Sequence, residues 1–155
     1  MKVVIIGGVA GGATAAARIR RLDEQAEIIV FERSGYVSYA NCGLPYYIGG
    51  VIEDPEELTL QTPESFWERF RIKVKTRHEV TSIHPETKTV TVHDMDGGQV
   101  FKESYDKLIL SPGARPIIPN LPGVDSDRLF SLRTVEDTFR IRQYVEEKSQ
   151  AVQLL

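Results

Sequence analysis

At 155 residues, with 41% hydrophobic and 26% charged positions, the chain has the composition of a globular domain of ordinary size, able to bury a core. A formal net charge of −3 argues against a nucleic-acid partner, which needs a clustered positive surface. One cysteine excludes an internal disulfide and fits a reducing compartment. The apolar opening is too short for a bilayer span and lacks the longer apolar region of a signal peptide. The expectation is a cytoplasmic protein without a membrane partner.

Lys2 to Ile6 is a continuous β-branched run, the pattern of a strand buried on both faces. A glycine-rich turn follows, then "ATAAARIRRLD", a helix that breaks off near Asp23, and "AEIIVFE", a second buried strand ending at Glu32. Strand, turn, helix and strand in this order make a βαβ unit. Residues 33–62 are loop-rich, punctuated by Gly35, Gly43, Pro45, Gly49, Gly50 and Pro55, with "EDPEE" solvated. Thr62 and Pro63 open a helix that ends near Arg71, with Phe66, Trp67 and Phe70 on its buried face. "KVKTRHEVTSIH" and "KTVTVHDM" alternate apolar and polar residues, as half-buried antiparallel strands do, and "DGG" at Asp96 turns the chain into a returning strand, "QVFKESY". "DKLILSPGA" reads as another buried strand, stopped by Pro112. A proline-spaced loop then leads to "TVEDTFRIRQYVEEK", a helix with Glu136 and Asp137 in its first turn. The tail "SQAVQLL" reads as the start of a further strand. The fold class expected is α/β: a Rossmann-like parallel sheet with a small antiparallel meander inserted.

"GGVAGG", Gly7 to Gly12, lies between strand and helix, where a dinucleotide fingerprint belongs. Gly7 permits the tight turn and Gly12 close helix-to-strand packing, while the helix N-terminus offers N–H groups to a pyrophosphate. Val9 replaces the middle glycine, and Gly8 and Gly11 on either side are read as supplying the backbone approach. Glu32 stands where a carboxylate accepts the ribose hydroxyls and disfavours a 2′-phosphate, so the ligand is FAD or NAD.

Cys42, in "SYANCGLPYY", has three readings from the residues alone: an inert core thiol, a metal ligand or a nucleophile. A reactive thiolate needs stabilisation, which N–H groups of Asn41, Gly43 and Leu44 offer if a short helix begins there. His78, His84 and His93 show no metal-ligand spacing, so no metal is expected. Arg18 and Arg21, three apart on the first helix, are either a phosphate clamp or a solvated basic face.

Taken in order, "GGVAGGATAAARIRRLD", "IIVFER", "SYANCGLPYYIGG", "TPESF", "IKVKTRHEV", "SYDKLILSPGARP" and "LRTVEDT" resemble the N-terminal segment of the flavin-dependent pyridine nucleotide–disulfide oxidoreductases. The resemblance is to their single-cysteine branch, which includes the coenzyme A disulfide reductases. It implies FAD held by Gly7, Gly8, Val9, Ala10, Gly12, Glu32 and Arg33, with Val80 near the adenine and Ser111, Gly113 and Ala114 near the flavin. It casts Cys42 as the redox nucleophile, reduced by NAD(P)H through FAD, and places Thr14, Arg18, Arg21, Ser38 and Asn41 at contacts to coenzyme A or its disulfide. Dithiol members carry a second cysteine where this chain has Tyr47, so the partner sulfur must come from another molecule. Peroxidases and oxidases of the branch carry a histidine where this chain has Ala10, which weakens a peroxide role. By the same resemblance, residues 1–155 are an incomplete N-terminal FAD-binding domain of a homodimer. The NAD(P)H site and dimerisation domain would lie outside it, and the fragment would be inactive alone. Rivals within the family are an NADH oxidase or peroxidase and a coenzyme A persulfide reductase. The rival outside catalysis is a non-catalytic dinucleotide-binding module.

Overall fold

The computed structural model describes residues 1–148, so the tail "SQAVQLL" lies outside the described residues. Two compact units emerge, each from two stretches of chain: Met1–Tyr39 with Thr59–Gly113, and Ala40–Leu58 with the chain from Ala114 onward.

In the first unit, β1 (Lys2–Ile6), β2 (Glu27–Phe31), β3 (Lys73–Lys75) and β7 (Lys107–Leu110) form a parallel sheet in the order β3-β2-β1-β7. The β1–β2 register sets Val4 beside Ile29, with α1 (Ala10–Leu22) as the crossover. Alternation divides β1 between two cores, because successive side chains leave opposite faces of a strand. Val3 and Ile5 pack with Ala13, Ala16, Val37 and with Phe66 of α3 (Pro63–Phe70). Val4 packs with Ile29, Phe31, and Val90 and Val92 of the antiparallel meander β4 (His78–His84), β5 (Thr89–Asp94) and β6 (Val100–Ser104). The result is three layers: helices, parallel sheet and meander.

Three local readings need correction. "KVKTRHEVTSIH" is two strands rather than one: β3 joins the parallel sheet, and the chain reverses at Arg77 (φ 58°) before β4 enters the meander. The pattern cannot separate them, since both halves alternate. β7 is only half-buried, with Leu110 59% exposed, because it is an edge strand among the described residues. Trp67 is exposed, its ring under the Arg71 guanidinium at 5.4 Å. Phe66 is the buried aromatic of α3, and the helix begins with a Thr62–Ser65 capping box as its sequence promises. Within the loop-rich stretch 33–62 the structure adds short helical elements. These are a 3₁₀ turn at Asn41–Gly43, α2 (Leu44–Ile48) and a second 3₁₀ turn at Pro55–Leu58, inside which the exposed acids sit beside a buried Leu58.

In the second unit α2 packs with α4 (Val135–Lys148). Tyr47 meets Phe139 edge-on at 5.6 Å between centroids, and Val135, Thr138 and Ile141 supply the buried side of α4.

Candidate functional site

The turn between β1 and α1 is closed by close approaches. Gly7 has φ +93°, and a Cβ there would lie 2.0 Å from the Ser111 carbonyl oxygen. A Cβ on Gly12 would lie 1.8 Å from the Gly7 oxygen, so only glycine lets the helix sit this close to the strand. The space at Gly8 and Gly11 is used by the protein itself: a Cβ would meet Val37 at 2.8 Å and the Ser111 hydroxyl at 2.3 Å. Packing within the protein is thus one reason for glycine at both positions. α1 begins at Ala10 with no side-chain cap and no acidic residue in its first turn. Its leading N–H groups and positive dipole end are thus available for an anion.

Glu32 is buried at the end of β2, where Oε2 accepts from the Gly8 N–H (2.7 Å) and Oε1 from the Ser34 N–H (2.8 Å). Each carboxylate oxygen keeps a further lone pair for a hydroxyl donor. Beside it a cavity of about 160 Å³ is lined by Gly7, Glu32, Arg33, Val80 and Pro112, among others. Arg33 pairs with Glu79 at 3.6 Å at the rim. A glycine cradle, an uncapped helix and a buried carboxylate fit the phosphates and ribose of a dinucleotide. Gly7, Gly8, Val9, Ala10, Gly12, Glu32, Arg33, Val80 and Ser111 meet in this unit. Gly113 ends its last stretch, whereas Ala114 belongs to the second unit and accepts from Arg133 Nε there (3.1 Å).

A second groove of the first unit, about 400 Å³, runs along α1 and gathers Thr14, Arg18, Arg21 and Ser38 with Gln61, Arg69 and Phe70. Four of the five residues assigned to substrate therefore share one surface, though they span 24 positions of sequence between Thr14 and Ser38. Ser38 is held there with φ 52° by its own N–H to the Gly8 carbonyl (2.9 Å) and its carbonyl to the Leu60 N–H (2.9 Å). Among the described residues Arg18, Arg21 and Arg69 make no ion pair. Arg20, between them on α1, points elsewhere and binds the carbonyls of Phe70, Ala26 and Glu24 at 2.6–2.7 Å, tying α1 to α3. Three unpaired guanidinium groups in one groove of a chain with net charge −3 favour an anionic ligand over a merely solvated face. Arg69 escaped the sequence reading, because only the fold brings α3 beside α1.

Cys42 is free and exposed, which removes the inert-core reading. It sits in the 3₁₀ turn Asn41–Gly43, before α2. The neighbouring N–H groups are spent, Gly43 on the Ala40 carbonyl (2.9 Å) and Leu44 on that of Asn41. Those two do not serve the sulfur, and the expectation is corrected for Gly43 and Leu44. Asn41 is exposed, and its Oδ1 accepts from Arg133 Nη1 at 2.9 Å. No cluster of His, Cys, Asp and Glu among the described residues could hold a metal, and no helix among them is long and apolar enough to cross a membrane.

An uncapped glycine cradle on a parallel sheet, a carboxylate at the end of β2 and a lone exposed cysteine agree with the comparison to known families. A family model described as pyridine nucleotide-disulphide oxidoreductase matches residues 1–152. The chain belongs to this family. It is 51% identical over 145 residues to coenzyme A disulfide reductase of Staphylococcus aureus (strain JH9), covering 94% of this chain and 32% of that protein. The structure of reduced Bacillus anthracis CoADR-RHD superposes with TM-score 0.93 at 51% identity over 96% of this chain and 27% of the other. A NAD-dependent persulfide reductase from A. fulgidus follows at TM-score 0.89 and 36% identity, covering 95% and 28% of the two chains. The chain thus spans about a third of the curated relatives it matches, and its Rossmann-type α/β architecture is that of the family.

Proposed function

We propose that this chain is the FAD-binding, cysteine-bearing segment of a flavoprotein that reduces coenzyme A disulfide. The observation that carries the proposal is the groove of Thr14, Arg18, Arg21, Ser38 and Arg69, whose arginines lack acidic partners among the described residues. A peroxide or dioxygen acceptor has no need of such a groove. A thiol attached to a phosphorylated nucleotide does, since guanidinium groups bind phosphate oxygens by charge-assisted, often bidentate hydrogen bonds.

In this reading the α1 N-terminus would hold the pyrophosphate of FAD, Glu32 would accept from its ribose, Arg33 would contribute beside it, and Val80 would lie on the adenine side. Bound FAD would supply two-electron transfer between a nicotinamide donor, NADH or NADPH, and sulfur. Cys42 is the nucleophile: its thiolate attacks one sulfur of the substrate disulfide, a mixed disulfide forms and one thiol leaves. With Tyr47 at the fifth position after Cys42 instead of a second cysteine, Cys42 rests in this reading as a mixed disulfide with a small thiol. A cytoplasmic homodimer belongs to the same reading.

The test is the Cys42→Ser variant of the complete protein. Its flavin spectrum should match the parent, while reduction of coenzyme A disulfide by NADH or NADPH is lost. Undiminished turnover would sink the assignment. Faster turnover of coenzyme A persulfide than of the disulfide would move it to a persulfide reductase. Intact mass of the resting protein should show one coenzyme A on Cys42.

A further inference from the structure

The motif "LRTVEDT" contributes nothing to the dinucleotide cradle or the arginine groove, yet its arginine reaches the residue next to Cys42. Arg133 precedes α4, and its backbone is fixed there. Asp137 Oδ2 accepts from the N–H groups of both Arg133 (3.1 Å) and Thr134 (3.0 Å), and the Asp137 N–H donates back to Thr134 Oγ1 (3.2 Å). This reciprocal cap is a rigid mount. From it the guanidinium donates through Nε to the Ala114 carbonyl (3.1 Å) and through Nη1 to Asn41 Oδ1 (2.9 Å).

A guanidinium has only donors, so it can meet only the oxygen end of a carboxamide. The bond therefore decides which way the Asn41 amide faces. Its oxygen is turned toward Arg133, and its two N–H donors, which have no partner among the described residues, are left for whatever approaches this exposed turn. We infer that Arg133 is a positioning residue, which holds the Asn41 amide with its oxygen inward and its N–H donors outward, one residue before Cys42, and so selects disulfides that carry an acceptor near the sulfur. The amide carbonyl in the arm of coenzyme A is such an acceptor. An ungripped Asn41 could rotate and offer oxygen or nitrogen equally, with less discrimination. The inference rests on the proposed function in one respect, that Cys42 is the sulfur that meets substrate.

The experiment measures thiol–disulfide exchange on the reduced protein by mass spectrometry, with three neutral or natural probes. Pantethine carries the amide arm without the nucleotide, bis(2-hydroxyethyl) disulfide carries neither, and coenzyme A disulfide carries both. In each case the Cys42 thiolate displaces one thiolate from the probe, so no other redox partner is needed. The parent should prefer pantethine to the hydroxyethyl probe, and Arg133→Met should lower that rate ratio about ten-fold, the effect of one well-aligned hydrogen bond at a reacting site. Arg133→Lys should recover part of it. Asn41→Asp is the deciding variant. It keeps and strengthens the bond to Arg133 while removing both donors, so a purely structural role predicts an unchanged ratio and the positioning role predicts its loss. An unchanged ratio in Asn41→Asp, or a parent with no preference between these two probes, overturns the inference. Asn41 is exposed, so this variant also serves if Arg133→Met fails to fold. Preference for coenzyme A disulfide over pantethine reports the arginine groove instead. Its absence would count against the proposed function while the first ratio still decides the role of Arg133.

Discussion

The Arg142 guanidinium lies 4.2 Å from the centre of the Tyr47 ring. The same side chain donates to the carbonyls of Tyr47 (3.2 Å) and Ile52 (3.5 Å) and pairs with Glu146 at 2.9 Å. The hydrogen bond that Arg142 donates to Glu146 is the leading reason that its pKa is raised, so it stays cationic over any working pH. Arg142 thereby holds α4 against the C-terminal end of the helix that follows Cys42.

Tyr47 fills the position at which dithiol relatives carry a second cysteine, and here it is a packing residue. Its ring is buried and touches Phe139 and Arg142. Tyr47→Ala should cost about 3 kcal/mol in urea denaturation, as for other large aromatic truncations in a core, whereas Tyr47→Phe keeps the ring and should cost less than about 1 kcal/mol. Equal losses would mean that the hydroxyl, and not the ring, is the structural element.

Gly12→Ala tests the cradle. A methyl placed 1.8 Å from the Gly7 oxygen and 3.1 Å from Ile5 Cγ2 forces α1 away from β1. The expected cost is about 2 kcal/mol of stability, typical of overpacking, together with loss of copurifying flavin. A stable variant that remains yellow would contradict the close helix–strand approach.

The arginine groove is tested with adenosine 3′,5′-bisphosphate, the nucleotide end of coenzyme A without its thiol. By calorimetry, Arg21→Ala and Arg69→Ala should each weaken its binding by about three- to ten-fold, and affinity should fall with added salt. Arg20→Ala should act differently. It removes bonds to the Phe70 and Ala26 carbonyls, so it should lower stability, which thermal unfolding would register.

Asp94 provides a pH signature. Its carboxylate accepts from the N–H groups of Gly97 (2.9 Å) and Asp96 (3.1 Å) in the hairpin, and the Gly97 bond is the largest cause of its lowered pKa. Because the folded value lies below the unfolded one, its contribution to stability is fully present above the ordinary aspartate range, near pH 4. It is lost as pH falls through the depressed folded value. The Gly97 amide signal in NMR should titrate with a midpoint below that range, and Asp94→Asn should abolish the titration. A midpoint at or above it would refute the assignment.

Most of the dinucleotide half was legible from the residues, because its determinants are local. Gly7, Gly12 and Glu32 lie within one βαβ unit, and the buried runs of β1 and β2 have no other stable use. The Thr62 cap and the Asp96–Gly98 turn were legible for the same reason. The split between β3 and β4 was not, since each half alternates alike and only the partner strand decides which sheet it joins. Nor did the residues reveal that Gly8 and Gly11 spend their space on Val37 and Ser111, 29 and 100 positions away.

By itself, then, the sequence determined the opening βαβ unit, the helix N-terminus that presents N–H groups to an anion, and a single cysteine among these 155 residues. These depend on short-range backbone preference and on composition. Tertiary structure alone decided which cations face one another and which are consumed. Arg69 joins Arg18 and Arg21, Arg20 turns inward to carbonyls, and Arg133 crosses 92 positions to hold Asn41. The physical reason is that a guanidinium has the same chemistry wherever it lies in the chain. Whether it meets a carbonyl, a carboxamide or open solvent depends on packing between elements distant in sequence.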